Sequence, residues 1–211
     1  MNPEYFVGRT SELDSMQAFF GPGSKRPQQQ QLLALSGVGG IGKTQLAIAY
    51  ANRHCDLYTS ILWLDASSEP ALCDSFRSVF ESVYDTEAVP ENGDVEDEEA
   101  LARIFKWLSD INNPQWLMIL DNLPVGRYNI EKYYPPASHG DIIVTTSGAH
   151  AAEFPAGMHM QLQPFENIQD SLALLQHRSK REDVETGRVL FFSFLPFFFF
   201  FFFFFLKRNA H

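Results

Sequence analysis

Gly37-Val38-Gly39-Gly40-Ile41-Gly42-Lys43-Thr44 has the spacing G-x-x-x-x-G-K-[ST]. Its residue types suit one task. Glycines let the backbone bend around a large anion, so that successive N–H groups point inward. The segment then feeds a helix N-terminus, whose unpaired N–H groups and dipole favour negative charge. The Lys43 ammonium neutralises β- and γ-phosphates, and the Thr44 hydroxyl ligates magnesium. The expected ligand is a purine nucleoside diphosphate or triphosphate, held from Gly37 to Thr44, with Gln45 following on the helix.

Trp116-Leu117-Met118-Ile119-Leu120-Asp121 is an apolar run that ends in an acid. A carboxylate at the carboxyl end of a parallel strand faces the crevice where ligands bind. Asp121 is therefore expected to hold magnesium through water, opposite Thr44. Asn122 follows, where many P-loop ATPases place a second acid. Its amide can hydrogen-bond a water but cannot take its proton at neutral pH. Asp121 and Asn122 are the catalytic candidates, with weak hydrolysis or none expected. The alternative is that Asn122 only starts the turn toward Pro124. Asp141 to Ser147 is a further apolar strand ending in hydroxyls. Thr145, Thr146 and Ser147 are in range of a γ-phosphate, or are ordinary strand-end polarity.

These residues need elements to position them. Leu13, Met16 and Phe20 recur at helical spacing over 10–20, with Thr10 or Ser11 as cap, and Gly21-Pro22-Gly23 stops that helix. Leu32–Leu35, Ile61–Leu64, Trp116–Leu120, Ile142–Thr145 and the alternating Met158–Leu162 read as five strands. Helices are expected from Lys43, after Pro70 (Leu72, Phe76, Val79, Phe80, Val83) and at Leu101, Ile104, Phe105 and Leu108. A short helix is expected at Leu172–Leu175. Apolar strands alternating with amphipathic helices imply a parallel sheet covered on both faces.

The chain has 211 residues and a formal net charge of −10. That balance argues against a non-specific grip on nucleic acid, which needs basic stripes. Asp85 to Glu99 holds eight acids and no Lys or Arg, and reads as a solvated loop entering a helix or as an acidic docking face. Cys55 and Cys73 lack metal or disulfide spacing and suit a reducing compartment. No secretory signal is visible at the N-terminus. Val189 to Leu206 is eighteen residues without charge, nine of them consecutive phenylalanines at 197–205. It reads as translated non-coding sequence, as a membrane span followed by Lys207-Arg208, or, least naturally, as a core element.

Taken together, Tyr5-Phe6-Val7-Gly8-Arg9 with Glu12-Leu13, the glycine loop, Ile61–Asp65, the Asp121 strand and Ile143-Val144-Thr145-Thr146 resemble the NB-ARC domain. That domain belongs to the STAND class of P-loop NTPases, the nucleotide switches of NOD-like and apoptotic-adaptor receptors. The resemblance covers residues 4–178 and divides the chain into a segment 1–29, a core 30–178 and an unrelated tail 179–211. It implies an α/β three-layer sandwich with a five-stranded parallel sheet in the order 5-1-4-3-2. It also implies that Phe6, Val7, Gly8 and Arg9 lie near adenine, mostly through backbone. ADP is then the resting ligand, and ATP with Mg2+ favours an open, oligomerising state.

Three departures qualify this. Ser147 stands where the family usually has a γ-phosphate-sensing arginine, Asn122 stands where a second acid is common, and the family pattern stops near Arg178, as in a truncated receptor. The leading expectation is a cytoplasmic ADP/ATP-binding switch. The alternatives are an active P-loop ATPase using Asp121 with a water placed by Asn122, and a nucleotide-binding protein tethered to a membrane through 189–206.

Overall fold

Trp116 and Gly140 illustrate how closely the sheet is packed. A Cβ on Gly140 would lie 2.2 Å from the Trp116 indole, and its φ of +91° also favours glycine. The indole N–H in turn donates to the Leu108 carbonyl at 2.8 Å, so the buried ring satisfies a terminal carbonyl of the helix before it. The computed structural model describes residues 6, 8–21, 29–84, 96–124, 126–147 and 157–164. Val7, Asp85–Val95, the helix expected at Leu172–Leu175, the 178/179 boundary and the tail lie outside the described residues.

The elements run α1 (Thr10–Phe20), β1 (Gln31–Ser36), α2 (Lys43–Arg53), β2 (Ser60–Asp65), α3 (Glu69–Val83), α4 (Asp97–Leu108), β3 (Trp116–Leu123), β4 (Asp141–Thr146) and β5 (Met158–Gln161). All four strand pairings are parallel, in the spatial order β2-β3-β4-β1-β5. This is the expected 5-1-4-3-2 read from the other edge. Each of the five expected strands forms, four of them within a residue of the expected ends, while β3 runs on to Leu123, three residues past the expected Leu120.

Strand alternation sorts side chains into two cores. Leu62, Leu64, Met118, Leu120, Ile142 and Val144 meet α3 and α4 on one face. Leu33, Leu35, Leu117, Ile119 and Ile143 meet α1 and α2 on the other. The central strands β1, β3 and β4 are buried on both faces over their apolar stretches. The edge strands differ from the expectation of full cover: β2 and β5 alternate in burial because each has only one neighbour and incomplete cover on one side.

Among the described residues the helices form where they were read, and their ends show how. The Ser68 side chain caps α3 by accepting from the Ala71 amide, with Pro70 in the first turn. Asp97, Glu98 and Glu99 fill the first turn of α4, where negative charge meets the dipole. At α1, however, neither Thr10 nor Ser11 caps. The cap position is Arg9, left-handed at φ 55°, without a side-chain cap bond. Gly8 before it is also left-handed at φ 75°, so the chain enters the helix through a tight reversal. Among the described residues no helix is long and apolar enough to cross a membrane.

Candidate functional site

The glycine loop bridges the carboxyl end of β1 and the start of α2. Gly37 must be glycine: its φ is +145°, and a Cβ would sit 2.9 Å from the Leu162 carbonyl oxygen, where the chain leaves β5. Gly39 and Gly40 border open space instead, with nothing within 4 Å of an added Cβ. Val38 is 67% exposed between them. The loop is thus pinned on one side and open on the other, with the backbone chemistry that a polyphosphate requires. Ile41 folds back under it, its amide donating to the Val38 carbonyl at 3.3 Å. Gly42 occupies the cap position of α2, so the open side of the loop lies at a helix N-terminus.

Lys43, only 8% exposed, turns its ammonium onto the loop. It donates to the carbonyls of Gly37 at 2.9 Å and Val38 at 3.0 Å. Burial lowers its pKa, and the Asp121 charge opposes that. The Thr44 hydroxyl donates to Asp121 Oδ1 at 2.9 Å. The Thr145 hydroxyl donates to the same oxygen at 2.5 Å and accepts the Asn122 amide at 2.9 Å. Burial holds the Asp121 carboxyl above its ordinary range, against the lowering effect of the Thr145 and Thr44 hydrogen bonds. One hydroxyl and one carboxylate oxygen, both hard donors, therefore converge beside the loop. This donor set fits magnesium, which takes one or two protein oxygens and keeps the rest of its shell as water and phosphate. Among the described residues no larger group of His, Cys, Asp and Glu gathers as a metal site.

Strand alternation decides which hydroxyl of β4 takes part. Residues 143 and 145 face α2, whereas 142, 144 and 146 face α3. Thr146, a sensor candidate in the sequence, is fully buried on the α3 side and donates to the Leu123 carbonyl at 2.7 Å. Thr145 is the one that meets Asp121. Ser147 lies just beyond β4 and is exposed. Asn122 sits at an irregularity in the β3–β4 pairing, left-handed at φ 64° and exposed. Asparagine tolerates that conformation better than most residues, which gives its identity a backbone reason. Gln45 is exposed on the first turn of α2.

The N-terminal segment meets the loop through a side chain. The Arg9 guanidinium donates to the carbonyls of Ile41 and Gln163, each at 3.0 Å, and pairs with Glu12 at 2.8 Å. Phe6 packs against the core that contains Leu13 and Leu33. Sequence reasoning gave this segment a backbone role and missed the clamp. No local pattern reveals it, because its partners lie 32 and 154 residues away.

The comparisons agree with the geometry. The Drosophila ORC in its DNA-bound structure superposes with a TM-score of 0.61 at 16% identity, over 86% of this chain and 48% of that one. The Aeropyrum pernix ORC2 protein, in ADPNP–ADP complexes, gives 0.60 at 16% identity, over 88% and 56%. At that identity these show the fold alone, that of P-loop NTPases. A nucleotide-binding leucine-rich repeat (NLR)-like protein of Hyaloscypha variabilis is 27% identical over 189 residues, 81% of this chain and 18% of the relative, so the chain spans under a fifth of that protein. The family model of the NB-ARC domain matches residues 17–185. The chain belongs to the NB-ARC family of nucleotide-binding signalling modules.

Proposed function

We propose that the chain is an ADP/ATP-binding switch in which triphosphate hydrolysis is weak or absent. The supporting observation is the convergence of the Gly37–Thr44 loop, Lys43 and Asp121 at the carboxyl end of the sheet, beside an Asn122 that offers no carboxylate. Backbone amides of the loop bind the phosphates, and Lys43 exchanges its two carbonyl partners for phosphate oxygens. Thr44 and Asp121 hold Mg2+ with ATP; the ion there offsets the charge of the phosphate oxygens.

The adenine preference rests on the family resemblance, as does ADP as resting ligand. Phe6, Val7, Gly8 and Arg9 form the adenine side of the site in this reading. Ser147, where a cation is usual, and Thr146, committed to a backbone carbonyl, leave the γ-phosphate without a charged sensor on β4. A switch of this kind acts in the cytoplasm, and it couples nucleotide state to contacts with further copies or with other receptor domains.

Equilibrium titration with ADP and ATP, with and without Mg2+, tests the binding half. Multi-turnover phosphate release tests the other half: sustained rapid turnover overturns the switch reading in favour of an active ATPase.

A further inference from the structure

We infer that Asp65 is a second acid of this site, a carboxylate that holds a water of the magnesium shell one strand away from Asp121. The inference rests on the nucleotide reading above and extends its metal side.

The placement comes from register and alternation. Asp65 is the last residue of β2 and pairs in register with Asp121 on the adjacent parallel strand β3. Ile61 and Trp63, which share the strand face of Asp65, pack against the α2-side core together with Leu117 and Ile119, which share the face of Asp121. The two carboxylates therefore leave the same face at the carboxyl end of the sheet, on strands about 4.8 Å apart. That end also carries the glycine loop and Thr44, which follow β1, two strands beyond β3. This departs from the expectation that Asp121 acts through water: its Oδ1 is within 2.9 Å of the Thr44 hydroxyl, so in this inference it shares the ion with Thr44 directly and the water-mediated role falls to Asp65, one strand farther out.

The Asp65 carboxylate is also held in place. Its Oδ1 accepts the Ser67 amide at 2.9 Å, and its own amide donates to the Ser75 hydroxyl at 3.1 Å. Ser75 is itself buried and anchored to the Ala71 carbonyl at 2.9 Å. No hydrogen bond to Oδ2 is recorded among the described residues, which leaves that oxygen available to a water. Asn122, by contrast, is an exposed residue of the bulge and brings no charge.

The test uses the full chain with ADP, and Mn2+ as the probe ion, since it shares the oxygen preference of magnesium. Free Mn2+ is followed by electron paramagnetic resonance, and ADP affinity is measured separately in EDTA. Asp65→Asn should weaken Mn2+ binding to the ADP complex about tenfold, the lower range for losing an outer-shell partner, while leaving ADP affinity in EDTA unchanged. Asp65→Glu should recover part of the loss, because it restores the charge. Asp74→Asn, which removes one exposed acid of α3, should bind Mn2+ like the parent chain. Parent-like Mn2+ affinity in Asp65→Asn overturns the inference alone, as does an equal loss in Asp65→Asn and Asp65→Glu. Failure of the parent chain to bind ADP in EDTA overturns the nucleotide reading and the inference with it.

Discussion

The Thr44 hydroxyl lies 2.9 Å from Asp121 Oδ1 across a separation of 77 residues, and it joins the first turn of α2 to the end of β3. Each of the two is a hard oxygen donor, and in the proposed reading they are the protein's two oxygens beside the phosphate cradle. Thr44→Ala removes one donor and leaves the loop backbone unchanged. Nucleotide affinity measured in EDTA should stay within about twofold, while the gain in ATP affinity on adding Mg2+ should fall about tenfold, the scale of a lost metal contact. Titration calorimetry in both buffers separates the two effects.

Lys43 acts differently, because its charge meets phosphate with or without metal. A hydrogen bond to a charged group contributes about 1.5–3 kcal/mol. Lys43→Ala should therefore weaken ADP and ATP by roughly tenfold to a hundredfold in both buffers. The change should also cost some stability, because the buried ammonium serves the Gly37 and Val38 carbonyls, so affinity is compared on the folded fraction. Unchanged affinity would remove the phosphate loop as the binding site.

Asp141 offers a prediction about pH. It starts the central strand β4, at the end of the sheet away from the loop. Burial raises its carboxyl to about 7, against the lowering effect of the Tyr58 hydrogen bond at 2.9 Å. Tyr58 and Tyr50 are neighbours in the same polar chain, 3.2 Å apart, and neither brings a positive charge. A carboxyl raised from its ordinary 3.8 to about 7 favours the protonated fold. Its contribution to stability is full below its unfolded value and is lost as pH rises toward and through about 7. Asp141→Asn keeps an acceptor for Tyr58 and removes the titration. The variant should melt several degrees above the parent chain at pH 8, and the difference should shrink steadily as pH falls, vanishing only near about pH 4. Thermal melts across that range check the slope; a gap that does not change with pH contradicts it.

Much of this was legible in the sequence, and the parts that were not share a cause. The phosphate loop and the Asp121 strand were read correctly as elements because the glycine spacing and the continuous apolar run are local signals. The strand order was not local: it came from resemblance, since periodicity cannot say that β1 lies between β4 and β5. The sequence offers Thr145 and Thr146 alike near a γ-phosphate, although alternation separates them, Ile143 and Thr145 toward α2 and Val144 and Thr146 toward α3. Counting the pleat from Asp121 across the sheet would have singled out Thr145, and it also draws attention to Asp65. The reach of Arg9 to Gln163 and the contact of Gly140 with Trp116 depend on chain segments meeting in space, which no window of sequence contains.

The Gly140 contact can be measured. An alanine Cβ would fall within 2.4 Å of three indole carbons of Trp116, and it would also have to accept φ +91°. Overpacking costs about 1–3 kcal/mol, and a left-handed residue with a Cβ adds about 1–2 kcal/mol. Displacing the ring also endangers the Trp116–Leu108 hydrogen bond at the end of α4. Gly140→Ala should therefore lower unfolding free energy by about 3 kcal/mol, the middle of those ranges. Urea denaturation with Trp fluorescence reports both the stability and the ring's environment. Nucleotide affinity of the fraction that remains folded should be unchanged, because Gly140 lies at the end of the sheet away from the loop.

Arg9 links stability to binding. Its guanidinium holds the Ile41 carbonyl of the loop and the Gln163 carbonyl beyond β5, and it neutralises Glu12. At 7% exposure it is shielded enough that truncation leaves two carbonyls short of a donor. Each buried group left unpaired costs about 1–3 kcal/mol. Arg9→Ala should lower stability by about 2 kcal/mol, and it should also weaken ADP severalfold, since the loop loses a support on its pinned side. Arg9→Lys separates the two contributions: a single ammonium cannot span both carbonyls as a planar fork does, but it keeps the charge beside Glu12. If the effect on binding comes from the clamp, the lysine variant should recover stability more than affinity. Equal recovery of both would place the role of Arg9 in its charge instead.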